Sequence, residues 1–146
     1  MNHCTTRHDG SLDDIICHIV KHYRRIAVVG FSNKPWRPSF QVGSYLIQQG
    51  YEVIPVNPDI PEVLGLRCHQ SLSAAPRPAQ VVDIFRRGEH IPGIVDEAIA
   101  IGAEAIWMQS GLIDEVSAER ARRAGLLVVM DRCIMVEHRR RLQRSP

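Results

Sequence analysis

The stretch RIAVVGFSNKPWRPSFQVGSYLIQQG, residues 25–50, decides the fold of this 146-residue chain. It contains an apolar run at residues 26–29 without polar alternation, which is typical of a central parallel strand buried on both faces. Gly30 ends this strand. A helix is predicted at residues 40–49, and Gly50 is its expected left-handed stop. The stretch therefore predicts a buried strand that passes through a loop into a helix.

The loop between this strand and helix, residues 31–38, is polar and carries two cations, Lys34 and Arg37, together with prolines that stiffen it. Ser39 has the side chain of a helix N-cap, since its hydroxyl can accept from the first free backbone N–H groups of the helix. Those N–H groups and the positive end of the helix dipole would both point into the loop. The combination predicts a phosphate site, and therefore a ligand that contains a nucleotide.

Length and composition agree with one folded domain. A chain of 146 residues with 45% hydrophobic and 23% charged residues can bury one continuous core and is close to the average for globular proteins. Residues 1–10 lack a periodic apolar pattern and are predicted to be frayed. Residues 11–142 are predicted to form the domain, and residues 143–146 a C-terminal tail.

Strands and helices alternate along the whole domain. The other predicted elements are a first helix up to Tyr23, strands at 51–56, 81–85, 105–108 and 126–130, and helices at 91–101, 114–123 and from Cys133 or Ile134 onward. This alternation predicts an α/β fold, a Rossmann-like doubly wound sheet of about five parallel strands with helices on both faces. In such sheets, ligands bind beyond the carboxyl ends of the strands, where the strand order reverses.

Composition argues against several classes of function. No apolar run approaches the roughly 20 residues that span a bilayer, and the first residues lack the apolar core of a signal peptide, so a cytoplasmic protein with no membrane partner is predicted. A net charge of +2 gives no argument for nucleic acid, and the arginines among residues 139–144 are interpreted as a solvated tail. The four cysteines show no CxxC spacing and are expected to be free thiols. No spacing of ligands predicts a metal site.

The residues around the loop favour a ligand with more phosphate than NAD carries. A dinucleotide fingerprint reads G-x-G-x-x-G and has an acidic residue at the end of the second strand. Here Ser32 stands at the second glycine position, and no carboxylate follows the second strand until Asp59. Lys34 and Arg37, with two arginines at a neighbouring strand end, would suit an additional phosphate. The 3′-phosphate of coenzyme A and the 2′-phosphate of NADP both have this chemistry.

Several ordered blocks carry a resemblance to a known family. They are IAVVGFSNKPWRPS (26–39), GYEVIPVNP (50–58), VDIFRR (82–87), AIWMQSG (105–111) and VVMDRCIMVEH (128–138). Over residues 23–140 the chain resembles the small stand-alone CoA-binding domain proteins, whose domain is also similar to the CoA-binding part of succinyl-CoA synthetase α chains. The resemblance implies a Rossmann-like domain that binds coenzyme A, with the phosphates at the first-strand loop. It implies a ligand more firmly than a reaction.

The resemblance also implies, position by position, which residues bind the ligand. They are Gly30, Phe31, Ser32, Lys34 and Arg37 in the first loop, Asn57 and Pro58 after the second strand, Phe85 and Arg86 after the third, and Trp107, Met108 and Gln109 at the fourth. Arg87 is expected to point away. Trp36 either covers the adenine ring or serves as a hydrophobic lid.

Two classes of function remain open from the sequence. The first is a non-catalytic module that carries, senses or delivers coenzyme A or an acyl-CoA, with a protein partner still to be identified. The alternative is an enzyme, either an NADP-dependent oxidoreductase or a CoA-linked transferase in which Cys133 exchanges thiols or accepts an acyl group. The simpler interpretation of Cys133 is a quiet thiol, with Glu137 and His138 fixing the last helix. The apolar face of the first helix and the last helix leave a homodimer open.

Overall fold

The computed structural model describes Cys4 and residues 10–142. The remainder of the predicted frayed segment and the predicted tail, residues 143–146, lie outside the described residues. In chain order the elements are α1 (Leu12–His22), β1 (Arg25–Val29), α2 (Pro38–Gln48), β2 (Glu52–Val56), β3 (Glu62–Val63), β4 (Leu66–Arg67), β5 (Val81–Ile84), α3 (Ile91–Ala100), β6 (Ala105–Met108), α4 (Glu115–Arg123), β7 (Leu127–Val129) and α5 (Ile134–Arg141). A 3-10 turn, Gly88–His90, leads into α3.

The main sheet has five strands in the order β2-β1-β5-β6-β7, and every neighbouring pair is parallel. This confirms the predicted Rossmann-like α/β fold. The chain runs outward from β1 to β2 and then returns across β1 to β5, so the strand order reverses between β1 and β5. The loops that follow β1 and β5 therefore flank the crevice in which parallel sheets of this order hold their ligands. The small strands β3 and β4 pair antiparallel, outside this sheet.

Helices cover both faces of the sheet and divide the core into two layers. Alternate residues of β1 enter different layers, with Ile26 and Val28 on one face and Ala27 and Val29 on the other. The first layer contains apolar residues of α1, α2 and α5, and the second contains those of α3 and α4. The apolar face of α1 is buried in the first layer, so it is not available as the dimer surface that the sequence left open.

Phe31 and Gly43 bring α2 close to the end of β1. The Phe31 ring is fully buried and lies against Gly43, where a Cβ atom would overlap three atoms of the ring. Only a glycine leaves room for the ring at this point in the helix. Gly43 therefore permits a close approach of helix and loop, which ties the first residue after Gly30 to the core.

The start of α2 differs from the prediction. Ser39 does not cap the helix, because α2 begins at Pro38, two residues before the predicted start at residue 40, and Arg37 is the N-cap residue. Proline is well suited to the first helical position, since it has no N–H to leave unpaired there. The Ser39 hydroxyl instead accepts the backbone N–H of Ser32 at 2.9 Å, across the loop.

Arg139, Arg140 and Arg141 belong to α5, and Arg144 lies outside the described residues. The solvated-tail interpretation is wrong for Arg141. Its guanidinium donates to Glu137 Oε1 at 2.9 Å and to Asp13 Oδ1 at 2.6 Å. Arg141 and Glu137 are buried, and their ion pair joins α5 to α1. His138, next to Glu137, meets the Tyr45 hydroxyl of α2 at 2.7 Å through its Nδ1 atom. These contacts support the interpretation in which Glu137 and His138 fix the last helix.

The cysteines also differ from the prediction. Cys4 and Cys17 are joined in a disulfide, so the expectation of four free thiols is wrong. The Cα atoms of Cys4 and Cys17 are 5.5 Å apart, within the range for a disulfide, although their sequence separation follows no local motif. Cys68 and Cys133 are free. Within the described residues, no helix is both long and apolar enough to cross a membrane.

Candidate functional site

A cavity of about 710 Å³ opens at the carboxyl ends of β1, β2 and β5, at the reversal of strand order. Seven of the residues predicted to bind the ligand line it: Gly30, Ser32, Lys34, Arg37, Asn57, Phe85 and Arg86. The structure thus brings together residues from three separate loops. A cavity of this size lies in the usual range for cofactor sites.

The loop after β1 forms one wall and is held in shape by its own hydrogen bonds. Besides the contact of Ser32 with Ser39, the Lys34 N–H donates to Ser32 Oγ at 3.1 Å and the Arg37 N–H donates to the Lys34 carbonyl at 3.0 Å. The N–H groups of Ser32, Lys34 and Arg37 are therefore already used within the loop. The N–H of Asn33 has no acceptor among the described residues and is left for one.

A second set of bonds joins the loops after β1 and β2. Gly30 has a φ of +93°, in the region that favours glycine, and its N–H donates to the Val56 carbonyl at 2.8 Å. The Asn57 side-chain amide donates to the Phe31 carbonyl at 3.0 Å. The side-chain oxygen of Asn57, Oδ1, accepts a hydrogen bond from the backbone N–H of Asp59, and this turns the chain so that Asp59 also lines the cavity. Asn57 thus has a positioning role that its place in the sequence did not reveal.

The loop after β5 supplies further cationic side chains to the cavity. The stem of Arg86 lies against Gly30, where a Cβ atom would come within 3.1 Å of Arg86 Cδ. The Arg86 Nη2 atom lies 3.3 Å from His90 Nε2. Arg87 also lines the cavity, so the expectation that it points away is wrong. The short turn at Gly88–His90 keeps all three side chains at one rim, because it folds the chain back before α3.

The charges around this cavity are unbalanced. Lys34, Arg37, Arg86 and Arg87 line it, and none of the four forms an ion pair with another described residue. Elsewhere, arginines such as Arg120 and Arg141 are paired with carboxylates. The cavity wall contains one carboxylate, that of Asp59, among its lining residues. Its electrostatic character is therefore that of an anion site.

Other predicted ligand residues lie away from this cavity. The side chains of Phe31, Trp107 and Met108 are fully buried in the core, so ligand contact through them is not supported. Gln109 is also buried, and its Oε1 atom accepts the N–H of Ile134 at 3.2 Å. Pro58 lines two smaller neighbouring cavities of about 250 and 550 Å³ instead.

Trp107 and Gln109 have a structural role that explains their polar atoms. The indole N–H of Trp107 donates to the Arg132 carbonyl at 2.8 Å, one residue before Cys133. With the Gln109 contact to Ile134, it fixes the turn between β7 and α5. Cys133 packs against the core layer of α1, α2 and α5 and does not line the cavity, which does not support a thiol that faces the ligand.

Trp36 is the exposed aromatic residue of the loop after β1. Its side chain is 70% exposed, and Lys34 Nζ lies 6.0 Å from its ring centroid. The two interpretations from the sequence, a cover for adenine and a hydrophobic lid, both require the ring to be accessible, as it is.

Asp83 of β5 is a buried carboxyl that precedes the loop after β5 by two residues but does not line the cavity. It lies opposite Val28 and Trp107 in the sheet register, it is fully buried, and neither of its oxygens has a hydrogen-bond partner in the described part of the chain. Burial raises the pKa of this carboxyl well above its usual value. The raised pKa favours the protonated, uncharged form of this carboxyl. Sequence reasoning passed over it because the strand VVDI contains a single polar residue.

Several residues that line the cavity were not among those predicted to bind the ligand. They are Asn33, Pro38, Ser39, Asp59, Ile60, Arg87 and His90. A signal existed for Asp59 and His90, because each follows a strand whose carboxyl end points into the crevice. For His90 this signal is weak, because it lies six residues after the end of β5 and only the turn at Gly88–His90 returns it to the cavity.

Comparison with known proteins gives the family. The chain matches the family model described as a CoA binding domain over residues 24–139. The uncharacterized protein YneT of Bacillus subtilis (strain 168) is 41% identical over 123 residues, which are 84% of this chain and 91% of that protein. A hypothetical protein from Pyrococcus horikoshii OT3 superposes with a TM-score of 0.88 at 40% identity, over 95% of this chain and 98% of its own. Acetate–CoA ligase (ADP-forming) II of Archaeoglobus fulgidus is 29% identical over 95 residues, 63% of this chain and 14% of that enzyme.

Proposed function

This chain belongs to the family of CoA-binding domains, and from that premise we propose that it binds coenzyme A or an acyl-CoA in the cavity at the carboxyl ends of β1, β2 and β5. The observation that carries the proposal is the group of four cations without ion-pair partners among the described residues, Lys34, Arg37, Arg86 and Arg87, in a cavity of about 710 Å³. Coenzyme A carries a diphosphate and a phosphate monoester, and these anions would balance the charges that the protein leaves without partners.

The loop after β1 is the proposed site of the diphosphate. It offers the positive charges of Lys34 and Arg37, the unpaired N–H of Asn33 and the positive end of α2. Its internal hydrogen bonds support the proposal, because a loop that is already ordered loses little conformational entropy when the ligand binds. The carboxylate of Asp59 is suited to accept hydrogen bonds from ribose hydroxyl groups.

The finer part of the proposal is a non-catalytic role, in which the protein carries, senses or delivers the ligand in the cytoplasm. The position of Cys133 outside the cavity wall favours this over acyl transfer through that thiol. The family match favours coenzyme A over NADP. In the cytoplasm, reductants would act on the disulfide between Cys4 and Cys17, so the redox state of these two cysteines bears on the proposed location. Thiol labelling of the protein in fresh cytosolic extract, followed by mass spectrometry, tests that location.

The experiment that tests the ligand is calorimetric titration of the purified protein with coenzyme A, acetyl-CoA, NADP and NAD at one salt concentration. We expect micromolar binding of coenzyme A and acetyl-CoA and no measurable binding of NAD. A preference for NADP, or no binding of any of the four, would overturn the proposal. A double variant, Lys34→Gln with Arg37→Gln, should weaken coenzyme A at least tenfold, because each charged hydrogen bond contributes about 1.5–3 kcal/mol. A second double variant, Lys21→Gln with Arg122→Gln, removes the same two charges at exposed positions and is the matched control.

A further inference from the structure

The cations of the cavity fall into two groups on two different loops. Lys34 and Arg37 belong to the loop after β1, where the N–H of Asn33 and the end of α2 are also available. Arg86 and Arg87 follow β5, and His90 lies at the end of the short turn that comes next. The two loops adjoin at Gly30, where the stem of Arg86 lies, and both line one cavity. A single diphosphate at the first loop would leave the second group without an anion.

The second group has the chemistry of a site for a phosphate monoester. A monoester carries a charge of about −1.5 to −2 at pH 7 and presents three terminal oxygens, more charge and more acceptors than one phosphate of a diphosphate chain. The planar guanidinium of arginine can donate two parallel hydrogen bonds to such a group. Two adjacent arginines and a histidine at one rim therefore fit a monoester better than they fit a ribose or a base.

Arg86 is held in place before any ligand arrives. Its stem packs on Gly30, its guanidinium lies 3.3 Å from His90 Nε2, and its side chain is half-buried. No carboxylate of the described chain pairs with Arg86 or Arg87; the carboxylate of Glu89 lies 3.6 Å from His90 Nε2 only. A positioned arginine with no anionic partner inside the protein is ready to bind an external one.

We propose that Arg86, Arg87 and His90 form a phosphate-monoester subsite that distinguishes coenzyme A from its 3′-dephosphorylated form. This inference rests on the proposed function, because it assigns one end of the same ligand. The sequence suited an additional phosphate to Lys34, Arg37 and the two arginines together, without dividing the phosphates among them. Lys34 and Arg37 bind the diphosphate that both forms share, and the loop after β5 supplies the discrimination.

The test compares coenzyme A with dephospho-CoA by calorimetry on the wild type and on Arg86→Gln, Arg87→Gln, His90→Gln and Arg37→Gln. The wild type should prefer coenzyme A by about tenfold or more, since one charged hydrogen bond lost from the complex is of that size. Arg86→Gln should remove most of this preference and leave the affinity for dephospho-CoA nearly unchanged. Arg37→Gln should weaken both ligands by the same factor and keep the preference.

Several results would overturn the inference. They are a preference that survives in Arg86→Gln and Arg87→Gln, or one that disappears in Arg37→Gln. Arg87 is exposed, so its variant tests the proposal even where Arg86→Gln fails to fold, as judged by thermal melting. Equal binding of coenzyme A and dephospho-CoA to the wild type contradicts the subsite but leaves the proposed function standing. Failure of the wild type to bind either ligand contradicts both.

Two further ligand pairs separate the sources of the phosphate. Adenosine 3′,5′-bisphosphate and AMP differ only in the 3′-phosphate, so this pair tests that group without the pantetheine arm. The bisphosphate should bind more tightly than AMP in the wild type only. NADP against NAD presents a 2′-phosphate of the same chemistry. Tight binding of NADP in the absence of coenzyme A binding, lost in Arg86→Gln, would overturn the 3′-phosphate assignment and identify the 2′-phosphate as the group that is read.

Discussion

Replacing Gly43 by alanine should destabilise this protein, although the same change stabilises most helices. Gly43 lies inside α2, and in an exposed helix an alanine there would gain up to about 1 kcal/mol. Here the new Cβ atom would approach Phe31 Cε1 at 2.9 Å and would come still closer to two other atoms of the same ring. Both partners are buried, so neither can move freely.

The expected magnitude follows from the two opposing effects. Overpacking of a filled core costs about 1–3 kcal/mol, and a contact with the rigid ring of a fully buried phenylalanine belongs at the upper end. After subtraction of the helix gain, the free energy of unfolding should fall by about 1–2 kcal/mol, which lowers Tm by about 2–8 °C in a chain of this size. Because Phe31 begins the loop that carries Lys34 and Arg37, the affinity for coenzyme A should fall as well.

Urea denaturation and calorimetry measure the two effects, and Gly93→Ala is the matched control. Gly93 is also a helical glycine, in α3, but a Cβ atom there would have no neighbour within 4 Å. That variant should be as stable as the wild type or more stable by up to about 1 kcal/mol. If Gly43→Ala were as stable as Gly93→Ala, with unchanged affinity for coenzyme A, the account of Phe31 as the anchor of the loop would be refuted.

Three other predictions concern buried polar groups. The pKa of Asp83 is raised in the folded state, so its ionisation opposes folding. Asp83→Asn should therefore gain stability relative to the wild type as the pH rises above 3.8, by at most about 1.4 kcal/mol per pH unit. Stability curves from urea titrations that run parallel for the two proteins would contradict this. Burial lowers the pKa of His138 from 6.5, with Arg24 as a smaller cause, so stability should fall as the pH drops below 6.5, and His138→Gln should flatten that fall in thermal melts. Ser39→Ala removes the acceptor of the Ser32 N–H, which should cost about 1 kcal/mol and loosen the loop, with a several-fold lower affinity for coenzyme A in calorimetry; unchanged affinity would show that this bond does not order the site.

The predicted strands agree with the structure because their signal is local. The run at residues 26–29 has no polar residue, and such a run is buried wherever the fold places it. The strands predicted at 81–85 and 126–130 are each shorter in the structure, as β5 and β7, because strand ends depend on the neighbouring strand that pairs with them. The Gly50 stop is confirmed by a φ of +92°.

The candidate site was predicted only in part, because a strand end does not by itself show where a side chain points. Trp107 and Gln109 follow the pattern of a strand that ends in the crevice, but their polar atoms bond to the turn before α5. Arg87 was expected to face away, and the turn at Gly88–His90 brings it to the cavity. Pairing of Cys4 with Cys17 was not predictable from spacing, since it depends on the tertiary position of Cys4 beside α1.

The sequence by itself determined the α/β class, the parallel sheet, the cationic loop after β1 and, through ordered motifs, the family. These depend on apolar periodicity and on residues that are neighbours in the chain. Only the tertiary structure decided which strand ends share a cavity, that Ser39 supports Ser32 rather than its own helix, and that Arg86 and His90 face the first loop. The physical reason is that strand order in the sheet sets these contacts, and the return of the chain across β1 to β5 brings together residues that are more than fifty positions apart in sequence.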